Sequence, residues 1–255
     1  SSMGNEKPDI VEGNDLPDFN PDDEYLQEIK SPIFYAVQKN INIQTGQPTI
    51  LDFDMQRISQ RINIVFNIRT EGNIKREDLS APIIELSGAC GRFNIADACL
   101  DTTRLYRMAH QVQPDEFTQT GEGTYRCVVH FHTLGVIPSA AKGHLNGPGI
   151  LQVALQVSTP QLDSSGAPVV DEEGNPVKNS RYIYGAINPY DELTAAQLIE
   201  VRDGKIYLRY SKEDVNIEIT TPLVIKADQI VPNDTGMGWQ PHDPTNPDDD
   251  IIIEI

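Results

Sequence analysis

The sequence predicts a mainly β protein, an antiparallel β-sandwich with one short helix. Three observations carry this. Apolar residues recur at period two through the middle of the chain, helical periodicity appears once, and no strand–helix–strand alternation is present. A chain of 255 residues is also long enough to bury a substantial core in one large β domain.

The elements follow in order. Residues 1–30 form a polar, acidic leader in which Asp15, Asp18, Asp22, Asp23 and Glu24 are interleaved with Pro8, Pro17 and Pro21. Such a composition buries too little apolar area to offset ordering, so order is expected to begin near Ser31. Ile33 to Ile43 makes a strand candidate, closed by a turn at Thr45-Gly46-Gln47-Pro48. Leu51, Phe53 and Met55 alternate with Asp52 and Asp54, the pattern of a half-buried strand. Ile62, Ile64, Phe66 and Ile68 then share one face. The apolar phase moves from odd to even positions between Met55 and Ile58, which one extra residue near Gln56-Arg57 would produce as a β-bulge or kink.

Pro82 to Ser87 is a short strand running into Gly88-Ala89-Cys90-Gly91, small residues suited to a turn or a close backbone approach. Phe93 to Ile95 is a brief strand, Tyr125 to Leu134 a long one, and Gly135 to Gly149 a Pro/Gly-rich loop. Leu151, Val153, Leu155 and Val157 give the cleanest alternation. The doubled Gly-x-Pro-Val at 166–169 and 174–177 reads as a long exposed hairpin, returning through Arg181 to Ile187. The helix is Asp191 to Val201, capped by Asp191 or Thr194 and stopped at Asp203-Gly204. Strands at Lys205–Tyr210 and Val215–Ala227 follow. Pro222 in the second belongs at an edge or bulge, because it has no N–H for a ladder. The sandwich is assigned to 31–232, and 233–255 to a Pro/Asp-rich tail with a terminal strand. About eight to ten strands with irregular turns fit a sandwich and not a doubly wound sheet.

Charge narrows the function. Twenty basic residues against 38 acidic ones leave −18, which argues against nucleic acid and anionic membrane surfaces, both of which need clustered Lys and Arg. No apolar run reaches the roughly 18 residues of a membrane-spanning helix. No signal peptide is visible, and Ser1-Ser2-Met3 reads as a mature or trimmed end.

Candidate chemistry is sparse. His130 and His132 lie two apart on a predicted strand and would face the same way, as two ligands of a metal would. A third ligand would come from His110, His144, His242 or a carboxylate, and solvated strand histidines are the preferred reading. Asp18-Phe19-Asn20-Pro21-Asp22 opens like a calcium loop but lacks Gly at the sixth position and places Ile29 where the bidentate Glu belongs. Asp248-Asp249-Asp250 reads as charge that guards an edge against aggregation. Cys90, Cys99 and Cys127 are an odd set; a Cys90–Cys99 bridge is one reading and buried free thiols the preferred one. No nucleophile, phosphate-loop or zinc-protease motif is present, so no catalytic residue, cofactor or metal is assigned. Converging carboxylates of a secreted hydrolase leave no spacing signature and stay open.

The feature singled out is the end of the chain. Ile251, Ile252, Ile253 and Ile255 follow a Pro/Asp spacer and form a strand-sized apolar segment that must pair with a sheet edge, of this chain or of a neighbour.

Several stretches resemble a known family. Phe34-Tyr35-Ala36 to Ile43, then Leu51-Asp52-Phe53-Asp54-Met55-Gln56-Arg57-Ile58 and Arg61-Ile62-Asn63-Ile64, resemble the opening of the second domain of fimbrillin-type lipoproteins of Bacteroidales fimbriae, a group that includes minor anchor subunits. Leu86-Ser87-Gly88-Ala89 is similar to an element some members carry after that strand. Tyr182-Ile183-Tyr184-Gly185, Met237-Gly238-Trp239 and Asp250-Ile251-Ile252-Ile253 are similar to their closing segments. The resemblance implies a transthyretin-like sandwich, the second of the family's usual two; little of a first is expected unless residues 1–30 are its remnant, so either a first domain was removed or the chain is a shorter member. It implies export as a lipoprotein, held at the outer membrane by a lipid anchor upstream of Ser1. It also implies a non-enzymatic role at the cell surface, with other fimbrial subunits as partners through β-strand addition and a host or cell-surface ligand as a further partner. The alternative is a surface glycan-binding lipoprotein, for which Tyr106, Tyr125, Tyr182 and Tyr184 are the exposed aromatics to examine.

Overall fold

The computed structural model describes residues 25–43, 45–209, 214–226, 229–233 and 235–242. A short antiparallel ribbon comes first, β1 (Phe34–Tyr35) with β2 (Gln56–Arg57). The chain then runs through β3 (Gln60–Glu71), β4 (Ile83–Cys90), β5 (Phe93–Asn94), β6 (Cys99–Leu100), β7 (Leu105–Gln111), β8 (Phe117–Gly121) and β9 (Thr124–Thr133). A long hairpin joins β10 (Leu151–Pro160) to β11 (Lys178–Ile187), followed by the helix α1 (Tyr190–Ala196). The hairpin of β12 (Ile199–Arg202) and β13 (Lys205–Leu208), then β14 (Asp214–Lys226), β15 (Gln229–Ile230) and β16 (Gln240–Pro241), complete the described chain.

Two five-stranded sheets face each other, β16-β11-β10-β4-β7 and β15-β14-β3-β9-β8. One apolar cluster lies between them. Ile62, Ile64, Phe66 and Ile68 of β3 meet Ile84 and Leu86 of β4 and Leu151, Val153, Leu155 and Val157 of β10. The protein is therefore a mainly β sandwich with one helix, and period-two burial on β3 is the pattern that built it. Every strand pair is antiparallel except β3 with β14, whose parallel pairing sets the first and last long strands side by side. A four-stranded sheet, β12-β13-β6-β5, closes one end over a second cluster that includes Ile29, Ile58, Cys90 and Leu134.

The described core confirms much of the pattern reading. The 160–179 segment is an exposed hairpin arm built on two turns, in which Asp163 accepts from the backbone of Ser165 and Ala167, and Asp171 from Glu173 and Asn175. β14 breaks register between Ile219 and Leu223, at Pro222. Gly88 carries φ +85° at a register shift in β4, and a Cβ there would come within 2.6 Å of the Ile137 carbonyl oxygen.

Five expectations need correction. Leu51–Met55 is not a half-buried strand: among the described residues no ladder forms there, and Phe53 and Met55 are more than half exposed. The candidate at Ile33–Ile43 contracts to Phe34–Tyr35. The phase change near Gln56-Arg57 is a strand break and not a bulge. Ile58 and Ser59 carry the chain from the ribbon into the sandwich, tied by Ile58 N–H to the Ile33 carbonyl (2.8 Å) and Ile33 N–H to Ser59 Oγ (3.1 Å). The helix stops at Ala196 because Gln197 takes a left-handed conformation (φ 51°). The β-branched Ile199 and Val201 then enter β12, and Asp203-Gly204, both at positive φ, make a hairpin turn instead of a helix stop. Finally, both boundaries of the sandwich move outward. Tyr25, Leu26 and Ile29 are buried, with Leu26 N–H on the Arg107 carbonyl at 2.7 Å, so order begins before Ser31. Beyond residue 232, Trp239 is buried against Phe66, and its Nε1–H donates to the Thr221 carbonyl at 3.0 Å.

Candidate functional site

The predicted assembly residues Ile251, Ile252, Ile253 and Ile255 lie outside the described residues, as do Asp18–Asp22 and Asp248–Asp250. The approach to the terminal segment is described. Trp239 anchors the chain in the core, and β16 then pairs antiparallel with β11, Ala186 opposite Gln240 and Gly185 opposite Pro241. His242 N–H continues the ladder onto the Tyr184 carbonyl at 3.1 Å. The chain is thus travelling along the outer edge of β11 toward Lys178 where the described residues end. Gly185 makes this edge close-packed, since a Cβ there would overlap Ile230 of β15.

A buried polar chain underlies this approach. The hydroxyl of Tyr25 donates to the Glu85 carboxylate, and Arg107 Nη1 reaches Glu85 Oε2 at 3.4 Å and Gln152 Oε1 at 2.6 Å. Gln152 Nε2 donates to His242 Nε2 at 3.0 Å, which puts the proton of neutral His242 on Nδ1. Glu85 and Gln152 are almost fully buried, so the two outer segments of the described chain are tied to the face of one sheet by a connected set of charged and polar groups. Nothing in the spacing of Tyr25, Glu85, Arg107, Gln152 and His242 signalled this. The one available cue was Glu85 interrupting an apolar strand.

His130 and His132 share a face of β9, as expected, but take separate partners. Asn63 donates to Asn216 Oδ1 (2.9 Å), which leaves Asn63 Oδ1 to accept from His130 Nδ1–H at 2.7 Å. Neutral His130 therefore turns its Nε2 lone pair toward Glu116, whose Oε1 stands 3.8 Å away. The other Glu116 oxygen already accepts from His110 Nε2–H and Gln113 N–H, each at 2.8 Å. His132 instead meets Ser59 Oγ at 3.1 Å. Burial pushes both His130 and His132 below the usual histidine range, assisted by Arg61 and Arg57 respectively. Among the described residues no set of three ligating side chains gathers around a metal-sized point. His144 lies in the Pro/Gly-rich loop and His242 on the other sheet.

The three thiols are free and buried. Burial pushes Cys90 up to about 12 and raises Cys127 further, the reverse of what a nucleophile needs. A cleft of about 620 Å³ is lined by Arg92, Asp97, Asp101 and Lys205 among others. Its carboxylates are engaged, Asp97 by Lys205 at 3.0 Å and Asp101 by the Thr103 hydroxyl at 2.6 Å. Of the four tyrosines considered for ligands, Tyr106 and Tyr125 are core residues. Tyr182 and Tyr184 lie near-parallel on β11, ring centres 6.4 Å apart and planes 30° apart, with Tyr182 partly exposed.

Compared with models of protein families, with curated proteins and with solved structures, the chain gives no match.

Proposed function

We propose that the chain is a cell-surface fimbrial subunit or anchor-type protein that assembles by β-strand addition and performs no catalysis. In this reading the sandwich is transthyretin-like, the protein is exported and held at the outer membrane as a lipoprotein, and its partners are other fimbrial subunits. The observation that carries the reading is the direction of β16, which delivers the chain onto the β11 edge some nine residues before the apolar segment Ile251–Ile255. Main-chain pairing along a sheet edge supplies affinity, and alternate apolar side chains supply register. The same pairing made on a neighbour's edge links subunits head to tail.

The test compares the full chain with a variant in which Ile251, Ile252, Ile253 and Ile255 are replaced by Asn. Loss of association in sedimentation velocity, or a lowered melting temperature, is expected. Unchanged assembly together with unchanged melting overturns the proposal.

The near-parallel pair Tyr182 and Tyr184 favours a second reading, a surface glycan-binding lipoprotein, because sugar rings stack on aromatic faces held side by side. Tyr182→Ala would then abolish binding on a glycan array while leaving self-association intact.

A further inference from the structure

Among the described residues, eight of the fourteen exposed large hydrophobic ones lie in one segment, between Phe34 and Met55. The rest of the protein scatters its exposed apolar residues singly, so this concentration is a property of the segment. It forms an arm that leaves the body at β1 and returns at β2, and the two-residue ladder at its base is the only one it makes among the described residues. Ile43 and Ile50 are 76% and 84% exposed, and Phe53 and Met55 exceed 50%. Together with Ile95 beside the base, these side chains present on the order of 900 Å² of apolar surface, comparable to one side of a standard protein–protein interface.

The arm also has the pattern of a strand without the pairing of one. Leu51, Phe53 and Met55 alternate with Asp52 and Asp54, yet among the described residues the segment carries no ladder. Under its base lies a groove of about 330 Å³, lined by Phe34, Tyr35, Ile58, Phe93, Ile95 and Leu134, large enough to seat one bulky apolar side chain. Tyr35 and Phe93 form its floor edge to face, with ring centres 5.3 Å apart.

We propose that this arm and groove dock an extended segment of a different protein, one that alternates apolar residues with Lys or Arg. Charge decides the occupant. If Leu51–Met55 paired antiparallel with its own symmetry mate about Phe53, Asp52 would stand opposite Asp54, and like charges directly opposite destabilise a ladder. The chain carries −18 in all, which adds long-range repulsion between copies. A strand with cations at alternate positions meets Asp52 and Asp54 while its apolar face covers Leu51, Phe53 and Met55. One of its large side chains then fills the groove. This inference is independent of the fimbrial reading, because it uses neither β16 nor Ile251–Ile255.

The experiment measures fluorescence anisotropy of a short synthetic peptide alternating Val with Lys, containing one Phe, titrated with the full chain. A Val/Glu peptide of the same length is the control. Binding of the Val/Lys peptide alone is expected, weakened at least about tenfold by Phe53→Ser with Met55→Ser and likewise by Asp52→Asn with Asp54→Asn. Asp171→Asn with Glu173→Gln, acids on the remote hairpin, should leave it unchanged. These arm residues are exposed, so the variants should melt with the wild type. Three results overturn the proposal: equal binding of the Val/Glu peptide, equal loss from the remote acid substitutions, or a homodimer in sedimentation that Phe53→Ser dissolves. Replacing Ile251–Ile255 leaves the peptide binding intact, whatever it does to assembly.

Discussion

Gln152 Nε2 donates to His242 Nε2 at 3.0 Å, so a central strand of one sheet holds the last described residue of the chain. The other end of the same amide accepts from Arg107, which also pairs with Glu85. Truncation at Gln152 therefore strips a buried partner from both a cation and an imidazole. Withdrawing a partner from a buried polar group costs more than the bond itself contributes. Gln152→Ala should destabilise the fold by about 2–3 kcal/mol in urea unfolding. Gln152→Glu should restore the Arg107 contact while setting an acceptor against His242 Nε2, and so recover only part of that loss.

Acid should weaken the sandwich before its carboxylates titrate. His130 and His132 sit below their ordinary value of 6.5, chiefly through burial, so the unfolded chain binds protons more readily than the folded one. Their contribution is complete above about pH 6.5 and is lost as pH falls toward the lowered folded values. Glu28 runs the other way. The residue as a whole is exposed, but its carboxyl group is raised by local burial, with His110 and Arg61 opposing, so its contribution grows as pH falls. The histidines act first on descent from neutrality. The melting temperature should drop between about pH 7 and pH 5.5, and His132→Gln, which keeps a donor near Ser59, should flatten that slope. A pH-independent melting temperature in the wild type over this range contradicts the assignment.

The sandwich was legible wherever one face of a strand is buried and the other wet, as in Ile62 to Ile68, because period two then maps directly onto the two sides of a sheet. Where that link fails, the pattern misleads. Leu51–Met55 alternates as well as β3 does, but no neighbouring strand among the described residues covers it. Leu198 and Val201 keep helical spacing and so extend the predicted helix, while the left-handed Gln197 and the Asp203-Gly204 turn settle the segment as a hairpin. Short strands such as Leu105–Gln111 and Phe117–Gly121 alternate too irregularly to stand out in the sequence. The polar chain from Tyr25 to His242 joins residues more than two hundred positions apart, and no local pattern encodes it. The parallel pairing of β3 with β14 is a matter of topology that spacing does not carry either.

Thiol reactivity offers a direct check on the core. Cys90 and Cys127 are fully buried in the sandwich and its closing cluster, and burial holds both thiols protonated well above neutrality. In the native protein a thiol-specific probe should modify neither at an appreciable rate at pH 8, and all three cysteines should react in denaturant, as free thiols do. Fewer than three reactive groups in non-reducing denaturant indicates a disulfide and contradicts the free-thiol state.

Among the described residues Trp239 is the last large side chain in the core, three positions before the described chain ends at His242. It packs on Phe66 with ring centres 5.2 Å apart and gives its indole N–H to the Thr221 carbonyl beside the Pro222 irregularity of β14. One residue thus ties the origin of β16, an edge strand of one sheet, to the facing sheet. Trp239→Ala removes the ring and leaves a cavity, at a cost of about 3–5 kcal/mol. Trp239→Phe keeps most of the packing but loses the donor to the half-buried Thr221 carbonyl, for about 1 kcal/mol. The two variants separate packing from register. If β16 depends on this anchor, amide exchange at Gln240 and His242 should accelerate in Trp239→Ala beyond what the global loss of stability explains. If exchange there merely follows global unfolding, β16 is held by its ladder with β11 and by Gln152, and the anchor is dispensable for directing the end of the chain.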